Sequence, residues 1–242
     1  MRDSFLQQRY DEMWSQARER IRAGTVEIDP QLARREADQR RGITLLVRPT
    51  RRIQLQVKQL LDRLRAFEPG QHYYHLSELH MTFLSPFTAT VEHEPFFART
   101  REYVTAIRTV VGQIAPFTIS FTGITASPST ILIQGFTDPA TLNAARDALR
   151  HELRARDLAQ SLDSRYHLET AHMSVVRFKQ PLREGALLAT ELEQARQIEF
   201  GEMRVESMEL VENDWYMSRD CTKCLRRYLL GQAETGMLWK PR

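Results

Sequence analysis

Cysteine is nearly absent: Cys221 and Cys224 are the only two in 242 residues. A lone C-x-x-C makes neither a disulfide framework nor a zinc ribbon, and it reads as structural. Long apolar runs are also missing. Nothing approaches the roughly 18 residues that a membrane-spanning helix needs, so no membrane partner is expected. The first residues include Arg2, Asp3, Arg9, Asp11 and Glu12 and hold no apolar leader core. That favours an intracellular, cytoplasmic protein. No G-x-S-x-G, G-x-x-x-x-G-K-[ST] or G-x-G-x-x-G occurs. Nucleophile-elbow hydrolases, P-loop enzymes and dinucleotide-binding folds therefore have no support.

What is present fits a soluble globular chain: 42% apolar and 27% charged residues. The length suffices for one large domain or two small lobes. The net charge of +3 is unevenly spread. Arg40, Arg41, Arg48, Arg51, Arg52, Lys58, Arg63 and Arg65 stand against Asp62 alone in one stretch. Such a segment suits an anionic partner such as RNA or a nucleotide. The plain alternative is a set of solvated helix and strand faces.

Periodicity outlines the elements. Leu6, Tyr10, Met13, Trp14, Ala17 and Ile21 carry helical spacing over 4–23, with Gly24 as a stop. Asp29-Pro30 breaks the chain, and 31–41 reads as a polar helix. Residues 1–40 are thus a helical N-terminal extension whose apolar stripe covers the main body, residues 41–242. In that body two units repeat an order. A strand at 43–47, a helix at 51–66 and a strand at 79–84 form the first. A strand at 130–134, a helix at 138–154 and a strand at 171–178 form the second. A helix at 95–112 and a strand at 117–121 lie between them. A helix at 185–195 and strands near 203–212 and 225–230 follow. This order predicts an α+β fold of antiparallel sheets with helices packed outside.

The repeat is also chemical. Residues 74–82 read Tyr74-His75-Leu76-Ser77-Glu78-Leu79-His80-Met81-Thr82, and residues 166–174 read Tyr166-His167-Leu168-Glu169-Thr170-Ala171-His172-Met173-Ser174. The shared frame is Y-H-L-x-x-x-H-M-[ST], and it holds four of the seven histidines. Strand alternation puts His80, Thr82 and Leu84 on one face and His172, Ser174 and Val176 on another. Two such faces brought together offer two imidazoles and two hydroxyls. The hydroxyls can bind phosphate oxygens. One neutral imidazole can activate water, and one imidazolium can protonate a leaving oxygen, with no metal or other cofactor. Arg177 falls at odd spacing from His172, so strict alternation turns it away, and a bulge would be needed to bring it to phosphate. Tyr74 and Tyr166 are candidates for stacking on a base. His75 and His167 lie five residues before His80 and His172, a separation that suits a chelate on neither a strand nor a helix. Metal ligation by these histidines is the weakest reading.

His80-Met81-Thr82-Phe83 and His172-Met173-Ser174-Val175 resemble the paired H-x-[ST]-hydrophobic signatures of the 2H phosphoesterase superfamily, which includes RNA 2',3'-cyclic phosphodiesterases, also called 2'-5' RNA ligase-like proteins. Val175-Val176-Arg177 is similar to the continuation of its second signature. The resemblance runs over about residues 42–230. It implies a bilobal fold with pseudo-twofold symmetry and a cleft between two antiparallel sheets. It implies hydrolysis of a cyclic phosphate at an RNA end or on a nucleotide to a 2'-phosphate, with RNA ligation as the related chemistry in reverse. By that resemblance His80 is the acid on the 3'-oxygen and His172 the base; Thr82, Ser174 and Arg177 are the candidates for binding phosphate. The extension 1–40, the Y-H-L prefixes and Ser174 in place of threonine depart from the family pattern. A non-catalytic nucleotide- or RNA-binding module on the same fold is the competing function, and a histidine-ligated metallohydrolase is the third.

Overall fold

The run Arg41–Val47, apolar apart from Arg41 and Thr44, is buried after its first residue, and it forms strand β1 in the interior of a sheet. The computed structural model describes residues 4–163 and 167–232. Around β1 the chain lays down α1 (Ser4–Arg22), α2 (Arg51–Phe67), β2 (His72–Tyr73), β3 (Met81–Thr90), α3 (Glu94–Phe97) and α4 (Thr100–Val111). Then come β4 (Phe117–Ser127), β5 (Thr130–Phe136), α5 (Pro139–Ala155) and β6 (Met173–Arg177). The last elements are α6 (Gly185–Ala195), β7 (Glu199–Val205), β8 (Ser207–Asp214) and β9 (Lys223–Leu229).

The strand order is β7-β4-β5-β6-β3-β1-β8-β9, all antiparallel, with β2 added beside β6. It divides into two four-stranded halves of matching layout. In one half β3 pairs with β1 and β1 with β8; in the other, β6 pairs with β5 and β5 with β4. The halves meet at β3 and β6 through the single pair Met81↔Met173. The expected α+β fold with two related antiparallel sheets is observed, and the sheets join edge to edge at that pair.

The helices bury the stripes that their spacing predicts. Ile53, Val57, Leu60, Leu61 and Leu64 of α2 are buried, as are Leu142, Ala145, Leu149 and Leu153 of α5. Helix α1 buries Leu6, Tyr10, Trp14, Ala17 and Ile21 against β4 and α6. Several boundaries differ from those predicted. The segment 31–41 is a short 3-10 helix, Pro30–Ala37, in which Arg34 leaves helical geometry. The helix expected at 95–112 is broken into α3 and α4. The motif strands begin one residue after the histidines, at Met81 and Met173.

Strand register slips at three points in β3 and at one in β6, and one of the slips in β3 falls at the same place in the motif as that in β6. Leu45 faces Leu84 while Leu46 faces Thr82, so Phe83 is an extra residue in β3. Ile131 faces Val176 while Leu132 faces Ser174, so Val175 is an extra residue in β6. Leu84 and Val176 therefore turn into the core, at 1% exposure each. The residues that follow, Ser85 and Arg177, turn back to the side of Thr82 and Ser174. No helix among the described residues is long and apolar enough to cross a membrane.

Candidate active site

His80 and His172 stand immediately before the paired methionines. Counting antiparallel from Met81↔Met173 sets His80 opposite Ser174 and His172 opposite Thr82. The two histidines are then diagonal neighbours on one face, a relation that separates backbones by about 7–8 Å. A cavity of about 160 Å³ opens on this face, and its lining includes His80, Thr82, His172, Ser174, Arg177 and Tyr74. Every site residue expected from the sequence within the described residues is thus gathered in one place. Tyr166 lies outside the described residues.

Each imidazole is oriented by its Nδ1. His80 Nδ1 lies 2.7 Å from the Glu78 carbonyl. A carbonyl only accepts, so Nδ1 carries the proton and Nε2 is left to exchange one. His172 Nδ1 lies 2.7 Å from Thr170 Oγ1, which can donate or accept. Burial pushes both imidazoles down to about 4 from the ordinary 6.5. Arg48 and Arg177 add to this at His80, and Arg146, His80 and Arg177 add to it at His172. The Glu78 carbonyl opposes the effect at His80 alone, because its dipole favours the imidazolium.

The β6 bulge decides the position of Arg177. Strict alternation would bury it, but it lines the cavity and donates from Nε to the Tyr74 hydroxyl at 2.8 Å. Tyr74 is itself only 4% exposed, with its hydroxyl pushed up by burial. Its ring has no open face of the kind that stacking on a base requires, and its evident contribution is to hold the guanidinium.

Three features of the site are not apparent from the motif residues. Arg146 of α5 is fully buried and donates to the carbonyls of Phe83, Thr82, Leu168 and Thr170 at 2.8–3.3 Å. It ties the bulge of β3 to the segment that leads into His172. The signal for it was present, since position 146 falls on the apolar stripe of α5 between Leu142 and Leu149. Asn213 and Trp215, from the end of β8, line the far side of the cavity, and the Arg40 guanidinium lies 4.4 Å from the Trp215 ring centre. A second groove, of about 500 Å³, shares His172, Ser174 and Arg177 and continues toward α1. Met13 and Gln16 of α1 and Thr130 and Leu132 of β5 line it.

Other candidates stay outside. His75 is exposed, with Nδ1 2.8 Å from Ser77 Oγ, and His167 stands 3.4 Å from Asp163 at the groove rim. Among the described residues no three of the His, Cys, Asp and Glu side chains gather where they could hold a metal ion. The basic residues between Arg40 and Arg65 do not line the cavity; Arg40 pairs with Asp38, Arg48 with Glu209 and Lys58 with Asp62. Cys221, at the end of a short 3-10 turn, and Cys224, in β9, are free thiols.

The sequence profile of the 2'-5' RNA ligase superfamily matches residues 51–215. Among solved structures, TT0787 of Thermus thermophilus aligns with a TM-score of 0.58 at 17% identity, covering 78% of this chain and 98% of that one. A protein described as a phosphoesterase aligns with a TM-score of 0.51 at 16% identity, covering 81% and 99%. Escherichia coli LigT, solved with ATP, aligns at 0.49 and 16% identity, covering 81% and 99%. No curated protein matches the sequence. At these identities the structural likeness is one of fold.

Proposed function

Because the chain belongs to the 2'-5' RNA ligase superfamily, the 2H phosphoesterases, we propose that it hydrolyses a 2',3'-cyclic phosphate by two-histidine acid–base catalysis without a metal. The observation that carries this reading is the convergence of His80, His172, Thr82, Ser174 and Arg177 on one small cavity. Arg177 and the two hydroxyls hold the non-bridging phosphate oxygens. His172 takes a proton from water as its oxygen attacks phosphorus. The bond from phosphorus to the 3'-oxygen breaks, and His80 Nε2 gives that oxygen a proton. The product carries a 2'-phosphate and a 3'-hydroxyl. His172 ends protonated and His80 neutral, and exchange with water resets them.

The electrostatics favour this division of roles. The Glu78 carbonyl stabilises charge on His80, whereas His172 has the Arg146 guanidinium nearby to resist it. Burial keeps both imidazoles neutral near pH 7. A bound phosphate anion restores the charged form of His80, so the acid is made when substrate arrives. The groove beyond His172 receives the nucleotide that precedes the cyclic phosphate, which makes an RNA end the fitting substrate and gives RNA as the partner. The cytoplasm is the matching location.

The test is an assay of the purified protein on adenosine 2',3'-cyclic phosphate in excess chelator. Turnover to the 2'-phosphate is expected. His80→Ala and His172→Ala each remove a proton-transfer group worth about 100- to 10,000-fold and should abolish it with the fold intact. Full activity in either variant, or dependence on an added metal, would overturn the reading. Binding without turnover would favour the non-catalytic module.

A further inference from the structure

The N-terminal segment reaches both histidines. On the His172 side, Tyr10 of α1 is fully buried and packs edge-on against Phe136 at 5.5 Å. Its hydroxyl donates to the Gly135 carbonyl at 2.9 Å. It accepts from the amides of Gly135 at 3.2 Å and Ala171 at 3.1 Å. Ala171 is the residue before His172. The three groups meet only because position 135 has no side chain: a Cβ there would stand 2.1 Å from the Ala171 carbonyl oxygen. Arg9, beside Tyr10, pairs with Glu169 at 2.9 Å. Two consecutive residues of α1 thus hold both ends of Glu169-Thr170-Ala171. The middle residue, Thr170, holds His172 Nδ1 at 2.7 Å.

On the His80 side, Arg35 of the 3-10 helix reaches a Glu78 carboxylate oxygen at 3.3 Å. The Arg219 amide also donates to that oxygen, at 3.2 Å, and the other oxygen accepts from the His75 amide at 2.9 Å. This fixes Glu78, whose main-chain carbonyl takes the His80 Nδ1–H at 2.7 Å. Neither Tyr10 nor Arg35 lines the cavity, so neither touches substrate.

Docking of α1 does not require these bonds. Trp14 Nε1 donates to Glu193 of α6 at 3.1 Å, and Leu6, Trp14, Ala17 and Ile21 of the apolar stripe are buried besides Tyr10. A buried hydroxyl shared with the amide next to His172 does something more specific. We infer that Tyr10 and Arg35 are positioning residues for His172 and His80, so that the segment before β1 sets the geometry between the two proton-transfer groups. This rests on the reading of those histidines as the acid–base pair.

The experiment uses the full chain, with adenosine 2',3'-cyclic phosphate as substrate and NMR of the histidine rings as a second readout. Tyr10→Phe keeps the ring and removes the hydroxyl. It should lower kcat by about 10- to 100-fold, the cost of a displacement of order 1 Å, while KM stays within about twofold. The His172 ring signals should shift and those of His80 should not. Arg35→Met should do the converse, and Arg35→Lys should recover part of the loss. Trp14→Phe should lower Tm yet leave kcat and both histidines as in the wild type. The inference is overturned if folded Tyr10→Phe retains wild-type kcat and an unshifted His172. It is equally overturned if Trp14→Phe loses as much kcat at a matched loss of Tm. The ring signals need no turnover. A wild type that leaves the cyclic phosphate intact would therefore sink the functional reading, and the positioning inference would still be decided by NMR.

Discussion

Met81 pairs with Met173 across the junction of the two half-sheets, and both methionines are fully buried. Each is preceded by a histidine and followed by a hydroxyl residue that face the cleft. The pair is thus the hinge point of the pseudo-twofold relation. Each buried thioether faces the core, so the flanking imidazole and hydroxyl must face the other way. Strand parity at this one residue pair places the two imidazoles and the two hydroxyls on the cleft side.

The Arg177–Tyr74 bond gives the first prediction. Arg177→Met removes the charged group that holds phosphate and should raise KM, or the Kd for inorganic phosphate, by about 10- to 100-fold, in line with a lost charge-assisted hydrogen bond. Tyr74→Phe removes only the acceptor for Arg177 Nε and should weaken binding less. Equal losses in the two variants would show that the tyrosine hydroxyl meets the ligand directly. Titration with phosphate by calorimetry separates the outcomes.

Arg146 couples stability to geometry. Arg146→Met leaves the carbonyls of Thr82, Phe83, Leu168 and Thr170 to find other partners in a buried place. The expected loss is about 3–5 kcal/mol, read as a shift in the urea midpoint at constant slope. Turnover per folded molecule should also fall, because the same carbonyls belong to the segments that carry both histidines. A stable variant with wild-type turnover would show that the bulge of β3 holds itself.

The groove toward α1 predicts a dependence on substrate length. A dinucleotide that ends in a 2',3'-cyclic phosphate should have a lower KM than adenosine 2',3'-cyclic phosphate. Gln16 is exposed at the groove wall, so Gln16→Trp should obstruct the groove without disturbing the core. It should raise KM for the dinucleotide and leave the mononucleotide unchanged. Equal KM for the two substrates in the wild type would confine binding to the smaller cavity.

The half-sites were legible in the sequence because they obey local rules. The stripes of α2 and α5, the bounds of α6 and the H-M-[ST] repeats all follow from spacing within a few residues. The bulges at Phe83 and Val175 do not. Both residues are apolar, like their neighbours in the strand, and the shift in register appears only against β1 and β5. That hidden residue is why parity alone turned Arg177 away from a cavity that it lines. Trp215 and Asn213 were equally invisible, since they arrive from a strand more than 30 residues further on. Arg146 is the intermediate case. Its place on an apolar stripe was a signal, but its four acceptors belong to segments that only the tertiary fold brings together.

Protonation gives the last prediction. Burial holds His72, His80 and His172 at about 4 in the folded chain, against the ordinary 6.5. Between those values the unfolded chain binds more protons than the folded one, so stability rises with pH across that window. The contribution of these groups is complete above about pH 6.5 and is lost as pH falls through about 4. Tm should therefore drop steadily from pH 7 to pH 4. A phosphate anion between His80 and His172 offsets the desolvation and raises both pKa values. Its binding near pH 5.5 should then take up protons, visible as different apparent enthalpies in buffers of different ionisation heat. Phosphate should also stabilise the protein more at pH 5 than at pH 7. Binding with no proton uptake would place the anion away from the imidazoles, and with it the proposed acid–base pair would fail.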